Sequence, residues 1–304
     1  MATRIGDLAQ NQRLTTGMLS IQARLRDAQV AAGSGKSAMR YDQIPERAGE
    51  LVRVKDARVL RSAYADQNER LVQQLQVMDG ALGSIGEIAD RTRAALVQRL
   101  DGGFGSDVPL DAMVETMLEE LEAALNTSLS GQYLFAGSRT DTVPVDLPSV
   151  PVTTADPTLY YRGDSVRLSA RADAGLELTY GVTADAAPFA DLIAALGQAR
   201  AAHLADDGVG LAAAMSGLTT ALDGVADLRA EVGLVAERLE SVTESQRSAT
   251  LYLDEIVAGI EDADLAAVLI RIASDQANLE AAYSMRASSR LCRSRTISAD
   301  TSSR

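Results

Sequence analysis

The chain has 304 residues, 46% hydrophobic and 23% charged, yet it holds no Trp, three Phe, one His and one Cys. His203 and Cys292 alone exclude a disulfide framework or a Cys/His zinc cluster within one chain, and so few aromatic residues argue against an enzyme pocket. A net charge of −13 argues against nucleic-acid binding, which selects basic surfaces.

The charge is unevenly placed. Residues 1–70 carry twelve basic and eight acidic groups, residues 285–304 five Arg against Asp300, and the stretch between twelve basic against 33 acidic. Lys36 and Lys55 are the only lysines. Apolar windows such as 265–273 are short and interrupted by Arg271, so no membrane insertion is expected. The opening MATRIGDLAQNQR lacks the apolar region of a cleaved signal peptide.

Periodicity carries the fold. Leu14, Met18, Ile21, Leu25, Ala28 and Ala32 recur at helical spacing before Gly33-Ser34-Gly35. Leu71, Leu75, Met78, Leu82, Ile85, Ala89, Thr92 and Leu96 alternate intervals of four and three, the seam of a helix packed on another helix. The same register runs back through Asn68, Tyr64, Arg61, Ala57 and Val54. With Pro45 in the first turn and Gly102-Gly103 as a stop, one helix is predicted over about 45–101, roughly 85 Å long at ~1.5 Å per residue. Leu110, Val114, Met117, Leu121, Ala124 and Ser128 form a third seam, entered through Asp107 as N-cap and Pro109.

The middle changes character. Pro144, Pro148, Pro151 and Pro157 precede β-compatible runs at 158–161, 166–172 and 176–182, and Pro188-Phe189 opens a short helix. An outward, β-rich module over 138–205 is predicted, dispensable to the helices around it. The last seam runs Val235, Leu239, Val242, Gln246, Ala249, Leu253, Ile256, Ile260, Ala263, Ala267, Ile270, Ser274, Ala277, Ala281, extending back to Leu222, Leu218 and Leu211. Glycines at 210, 217, 224, 233 and 259 are expected to mark bends. The predicted architecture is mainly α: an elongated coiled-coil helical rod with a small inserted β-rich domain and terminal helices that pair.

Chemical motifs fail on inspection. Gly33-Ser34-Gly35-Lys36-Ser37 resembles the end of a phosphate loop, but Val30 stands where its first glycine belongs, and a helix-ending turn is expected. His203 has no nucleophile elbow near it and reads as a solvated residue of an Ala-rich helix. Asp206-Asp207 and Asp262/Asp264 read as N-caps or solvated helix ends, Arg162-Gly163-Asp164 as a turn, and Cys292 as an incidental thiol. No catalytic, cofactor or metal site is predicted.

The segment Gly131-Gln132-Tyr133-Leu134-Phe135-Ala136-Gly137-Ser138-Arg139 resembles the flagellar hook-associated protein 3 family, hook–filament junction proteins of flagellin-like fold. Arg4-Ile5 with Leu25 and Gly33–Lys36, Tyr161-Arg162-Gly163-Asp164, and Asp262-Ala263-Asp264-Leu265 with Gln276, Leu279, Glu280 and Tyr283 are similar to its other motifs, in order over about residues 1–283. Two stretches depart from the family: 37–46, and the polar, Arg-rich tail 285–304 in place of an apolar helix.

The resemblance implies a structural protein that is not an enzyme, exported without a cleaved signal through the flagellar type III channel and placed extracellularly at the hook–filament junction. Implied partners are copies of itself in a ring, the first hook-associated protein, flagellin and an export chaperone. It also implies an N-terminal polymerisation helix and hinge at 1–44, a rod at 45–137 and 206–261, the outer domain at 138–205, and a C-terminal polymerisation helix and polar tail at 262–304. Leu14, Met18, Ile21, Leu25, Ala267, Ile270, Ala277 and Ala281 are the expected assembly interface, with the termini ordering as they bury surface. A flagellin filament subunit and an intracellular coiled-coil scaffold are the alternatives.

Overall fold

The computed structural model describes the backbone of residues 2–37, 41–101, 109–148 and 152–301, and the side chains of those between 12 and 286 except Gln43. The expected N-cap Asp107, the Gly102-Gly103 stop, the Arg4-Ile5 side chains and those of the polar tail beyond Arg286, Cys292 included, lie outside the described residues. In chain order come α1 (Ala2–Ser34), α2 (Pro45–Leu100), α3 (Leu110–Leu125), β1 (Ser128–Leu129), β2 (Gln132–Tyr133), β3 (Leu168–Asp173), β4 (Leu176–Tyr180), α4 (Ala187–Leu204), α5 (Gly208–Glu261) and α6 (Leu265–Thr301). β1 pairs with β2 and β3 with β4, both antiparallel. Two compact units result, one from Met1–Arg58 with Leu251–Arg304, the other Val59–Thr250.

In the second unit the α2 seam from Leu71 to Leu96 is buried throughout, with Leu75, Leu82, Ile85 and Leu96 wholly enclosed. α5 returns antiparallel beside it. Arg229 donates to Asp79 through Nε and Nη2 at 2.7 and 3.1 Å, Arg247 pairs with Glu69, and Arg61 donates to Gln246 at 2.9 Å. Asn68, buried within the stripe, donates Nδ2 to the Ala172 carbonyl at 3.1 Å and so seats β3 on α2.

The 138–205 region differs from its expectation in one large respect. α4, which falls inside it, is apolar on nearly every side, and Phe189, Leu192, Ile193, Leu196 and Ala199 join the same core as α2, α3 and α5. A helix of that composition has to be buried, so it belongs to the bundle rather than to an outward module. The expected strand at 158–161 is instead a 3-10 turn over Pro157–Leu159, because the Asp156 carboxylate accepts from the Thr158 N–H at 3.0 Å; only Tyr161 pairs, with Val145. His203 is half-buried rather than solvated, its Nδ1 accepting from Arg99 Nε at 2.9 Å.

α5 runs unbroken through the glycines at 210, 217, 224, 233 and 259. Over one stretch it is apolar and long enough to cross a bilayer by composition, a stretch outside the windows noted from sequence. Leu211, Ala214, Leu218, Ala221 and Val225 of α5 lie in the bundle core.

In the first unit, α1 ends where Gly35 takes a φ of +70° and its N–H bonds the Ala31 carbonyl at 2.9 Å, the left-handed cap expected of the glycine-rich turn. The seam expected to run on from Val235 to Ala281 breaks at 262–264. Asp264 Oδ1 accepts from the N–H groups of Ala266 and Ala267 at 3.0 and 3.1 Å and starts α6 afresh. Leu51, Val257 and Ile260 form a small core where α2 begins and α5 ends.

Replacing residues 138–205 by a short linker is therefore expected to lower the thermal midpoint of the helical bundle, because α4 leaves with them. Phe189→Ala alone should cost about 3–5 kcal/mol in denaturant unfolding. An unchanged midpoint for the excised chain would return α4 to an outer module.

Candidate assembly interface

α1 and α6 pack on each other. On α1, Met18 and Ala28 are buried and Leu14, Ile21 and Leu25 half-buried. On α6 the less exposed positions are Val268, Ile272, Asp275, Leu279 and Ala282, a regular four-three series. Arg24 meets the buried Asp275 at 3.1 Å, and Gln22 donates to the Tyr283 hydroxyl at 2.9 Å. These polar ties inside an apolar seam admit one register of the pair.

The four α6 residues chosen from sequence sit elsewhere. Ala267, Ile270, Ala277 and Ala281 are exposed, Ile270 by 71%. The apolar period of the sequence runs straight across 262–264, whereas the three non-helical residues there reset the phase of α6. Val268, Ile272, Leu279 and Ala282 were legible as an equally regular series once that break is known. The result is a helix with two apolar faces, one on α1 and one bare, along Ala266, Ile270, Ala273, Ala277 and Ala281.

The Gly131–Gly137 segment serves a different purpose. Ser130 and Gly131, both at positive φ (54° and 81°), make the two-residue turn between β1 and β2. Tyr133 donates its N–H to the Thr140 carbonyl at 2.8 Å, while Leu134, Phe135 and Ala136 are buried. Phe135 stands edge-on to Phe189 of α4, ring centroids 6.1 Å apart. Gly137 has a φ of +70°, and a Cβ there would lie 2.1 Å from the Asp164 carbonyl oxygen.

Asp164 closes the joint. Its carboxylate accepts from the Ser138 hydroxyl, from the Ser138 N–H at 2.8 Å and from the Val166 N–H at 3.1 Å; its own N–H bonds the Ala136 carbonyl at 3.1 Å. The Tyr161 hydroxyl donates to the Asp164 carbonyl at 2.6 Å. Hydrogen bonds from Ser138, ahead of the one from Val166, hold the Asp164 carboxyl below its ordinary value. The Arg162-Gly163-Asp164 turn is thus folded inward onto the Gly131–Gly137 segment as a mechanical joint. Among the described residues no group of three or more His, Cys, Asp or Glu is placed to hold a metal.

One unit pairs the two terminal helices, and the other packs long helices on one core. Residues 5–140 match the family model of the bacterial flagellin N-terminal helical region, and residues 215–291 that of the C-terminal helical region, together more than two thirds of the chain. The chain belongs to this flagellin-like structural family, whose members are not enzymes. Similar solved structures include a putative flagellar hook-associated protein from Vibrio parahaemolyticus, at 16% identity over 72% of this chain and 100% of that one, TM-score 0.53. Bacillus cereus FlgL is 16% identical over 69% and 99%, TM-score 0.55, and Xanthomonas campestris FlgL 12% over 68% and 99%, TM-score 0.53. At such identities the likeness is one of fold. No curated protein matches the chain.

Gly137→Ala combines a positive φ, worth about 1–2 kcal/mol against any side chain, with backbone overlap. It is expected to lower unfolding free energy by more than about 2 kcal/mol, read by denaturant titration. The Asp164 tie should be complete at neutral pH and lost only as the pH falls below the ordinary Asp value of ~3.9, through its own lower one. Asp164→Asn should remove that acid-dependent part, which unfolding measured between neutral and acid pH checks.

Proposed function

We propose that the chain is a structural subunit of the bacterial flagellum that forms a ring between hook and filament. It is exported without a cleaved signal through the type III channel, carried there by an export chaperone, and seated between the first hook-associated protein and flagellin. The bare apolar face of α6 carries this reading. Among the described residues no apolar side chain of α6 is fully buried in the single chain, so the terminal pair is thin and gains most of its cover from neighbouring subunits. The solved structures named above as hook-associated or FlgL proteins favour the junction over the filament.

In this reading Leu14, Met18, Ile21 and Leu25 hold α1 on α6, while Ala267, Ile270, Ala277 and Ala281 meet the next copy. Ile270→Asp with Ala277→Asp is expected to leave monomer helicity unchanged by circular dichroism yet abolish incorporation into flagella. Ile21→Asp with Leu25→Asp should lose both the terminal pair and incorporation. A strain lacking the gene should show hooks without attached filaments by electron microscopy. If the protein outnumbers every other subunit along the filament, it is the filament protein; if it stays in the cytosol, it is a scaffold.

A further inference from the structure

Lys36 and Lys55 are the only lysines in a chain whose other 27 basic side chains are Arg, and both reach the same carboxylate. Lys55, in α2, donates to Glu261 Oε1. Lys36, just past the end of α1, lies 3.5 Å from Glu261 Oε2 and donates to Asp262 Oδ1 at 2.7 Å. Glu261 is the last residue of α5, and its side chain is only 17% exposed.

Backbone ties lie beneath the charges. Lys36 and Asp262 form an isolated antiparallel bridge, the Ser37 N–H bonds the Glu261 carbonyl at 2.6 Å, and the Ala263 N–H bonds the Gly35 carbonyl at 2.9 Å. Arg47 adds a bond from Nη1 to the Gly259 carbonyl at 3.4 Å. The exit of α1, the first turns of α2, the end of α5 and the start of α6 therefore converge on one residue. Asp264 caps the first turn of α6, while Asp262 and Ala263 are tied to Lys36 and Gly35 at the exit of α1. Two amines suit the task because each is a compact point charge, and both can share one carboxylate where a planar guanidinium would claim both oxygens.

We propose that Glu261 is the positioning residue of a latch, gripping both lysines to fix the paired terminal helices to the first turns of α2 and the last turns of α5. Neutralising either amine, by substitution or by acylation, opens it. The charges respond in the matching directions: Lys55 chiefly holds the Glu261 carboxyl below its ordinary value, and Asp262 chiefly raises Lys36. The latch belongs to the single chain and stands apart from the ring reading.

The test is hydrogen–deuterium exchange on the full chain, following the Ser37 and Ala263 amides that form the bridge. Glu261→Gln and Lys55→Met should each speed their exchange about five- to tenfold, with Leu75 and Leu82 in the bundle unchanged. The charge swap Lys55→Glu with Glu261→Lys should restore only the Lys55 half of the protection, because Lys36 then faces a second lysine. Exchange at the wild-type rate in both single variants overturns the latch. So does loss of protection that spreads to Leu75 and Leu82 in both, since Glu261 would then be a general stability residue rather than a local tie.

Discussion

An apolar stripe on a long helix must be covered, and the stripe of α2 is covered by α3 near its end, where the Thr92 hydroxyl meets Met117, and elsewhere by segments more than a hundred residues away. Leu75, Met78, Leu82 and Ile85 share one core with residues of α3, α4, α5 and the strand region. The Asp79–Arg229 and Glu69–Arg247 pairs flank that stripe at the surface. They are exposed and contribute little beyond register, whereas removal of apolar surface from water, at ~25 cal/mol per Å2, supplies the cohesion of the unit.

The terminal helices stand in contrast. Among the described residues, Met18 and Ala28 are the buried hydrophobics of α1, and the one enclosed α6 residue is Asp275, a charge. Placing a carboxylate at the centre of a thin seam lowers its stability and raises its specificity, since Arg24 can meet it in one register alone. A pair built this way is held in register more firmly than it is held together, which suits helices whose outer faces are left bare.

The Gly131–Gly137 segment and the 161–164 turn were both visible in sequence as motifs, but nothing in their spacing said that they touch. They meet because Gly137 has no side chain where the Asp164 backbone passes, and because Ser138 and Asp164 then complete each other's hydrogen bonds. Phe135, buried beside this joint, reaches Phe189, so the same segment also fastens α4. The interface was legible in halves. The α1 seam could be read directly, since nothing interrupts it, while the α6 seam required knowing that Asp264 caps a new helix.

Sequence alone determined the helices and their inward faces where a helix runs unbroken, because a 3.6-residue period fixes which side chains share a side. That is why the 71–96 stripe, the start of α2 at Pro45 and the left-handed cap at Gly35 follow from local chemistry. The tertiary structure decided three things that no local period encodes: the burial of α4, the meeting of Gly137 with Asp164, and the phase of α6 after 262–264. Each depends on what a distant segment offers, a core to enter, a backbone to pass or an end to be tied, and a chain read residue by residue carries no distance between such segments.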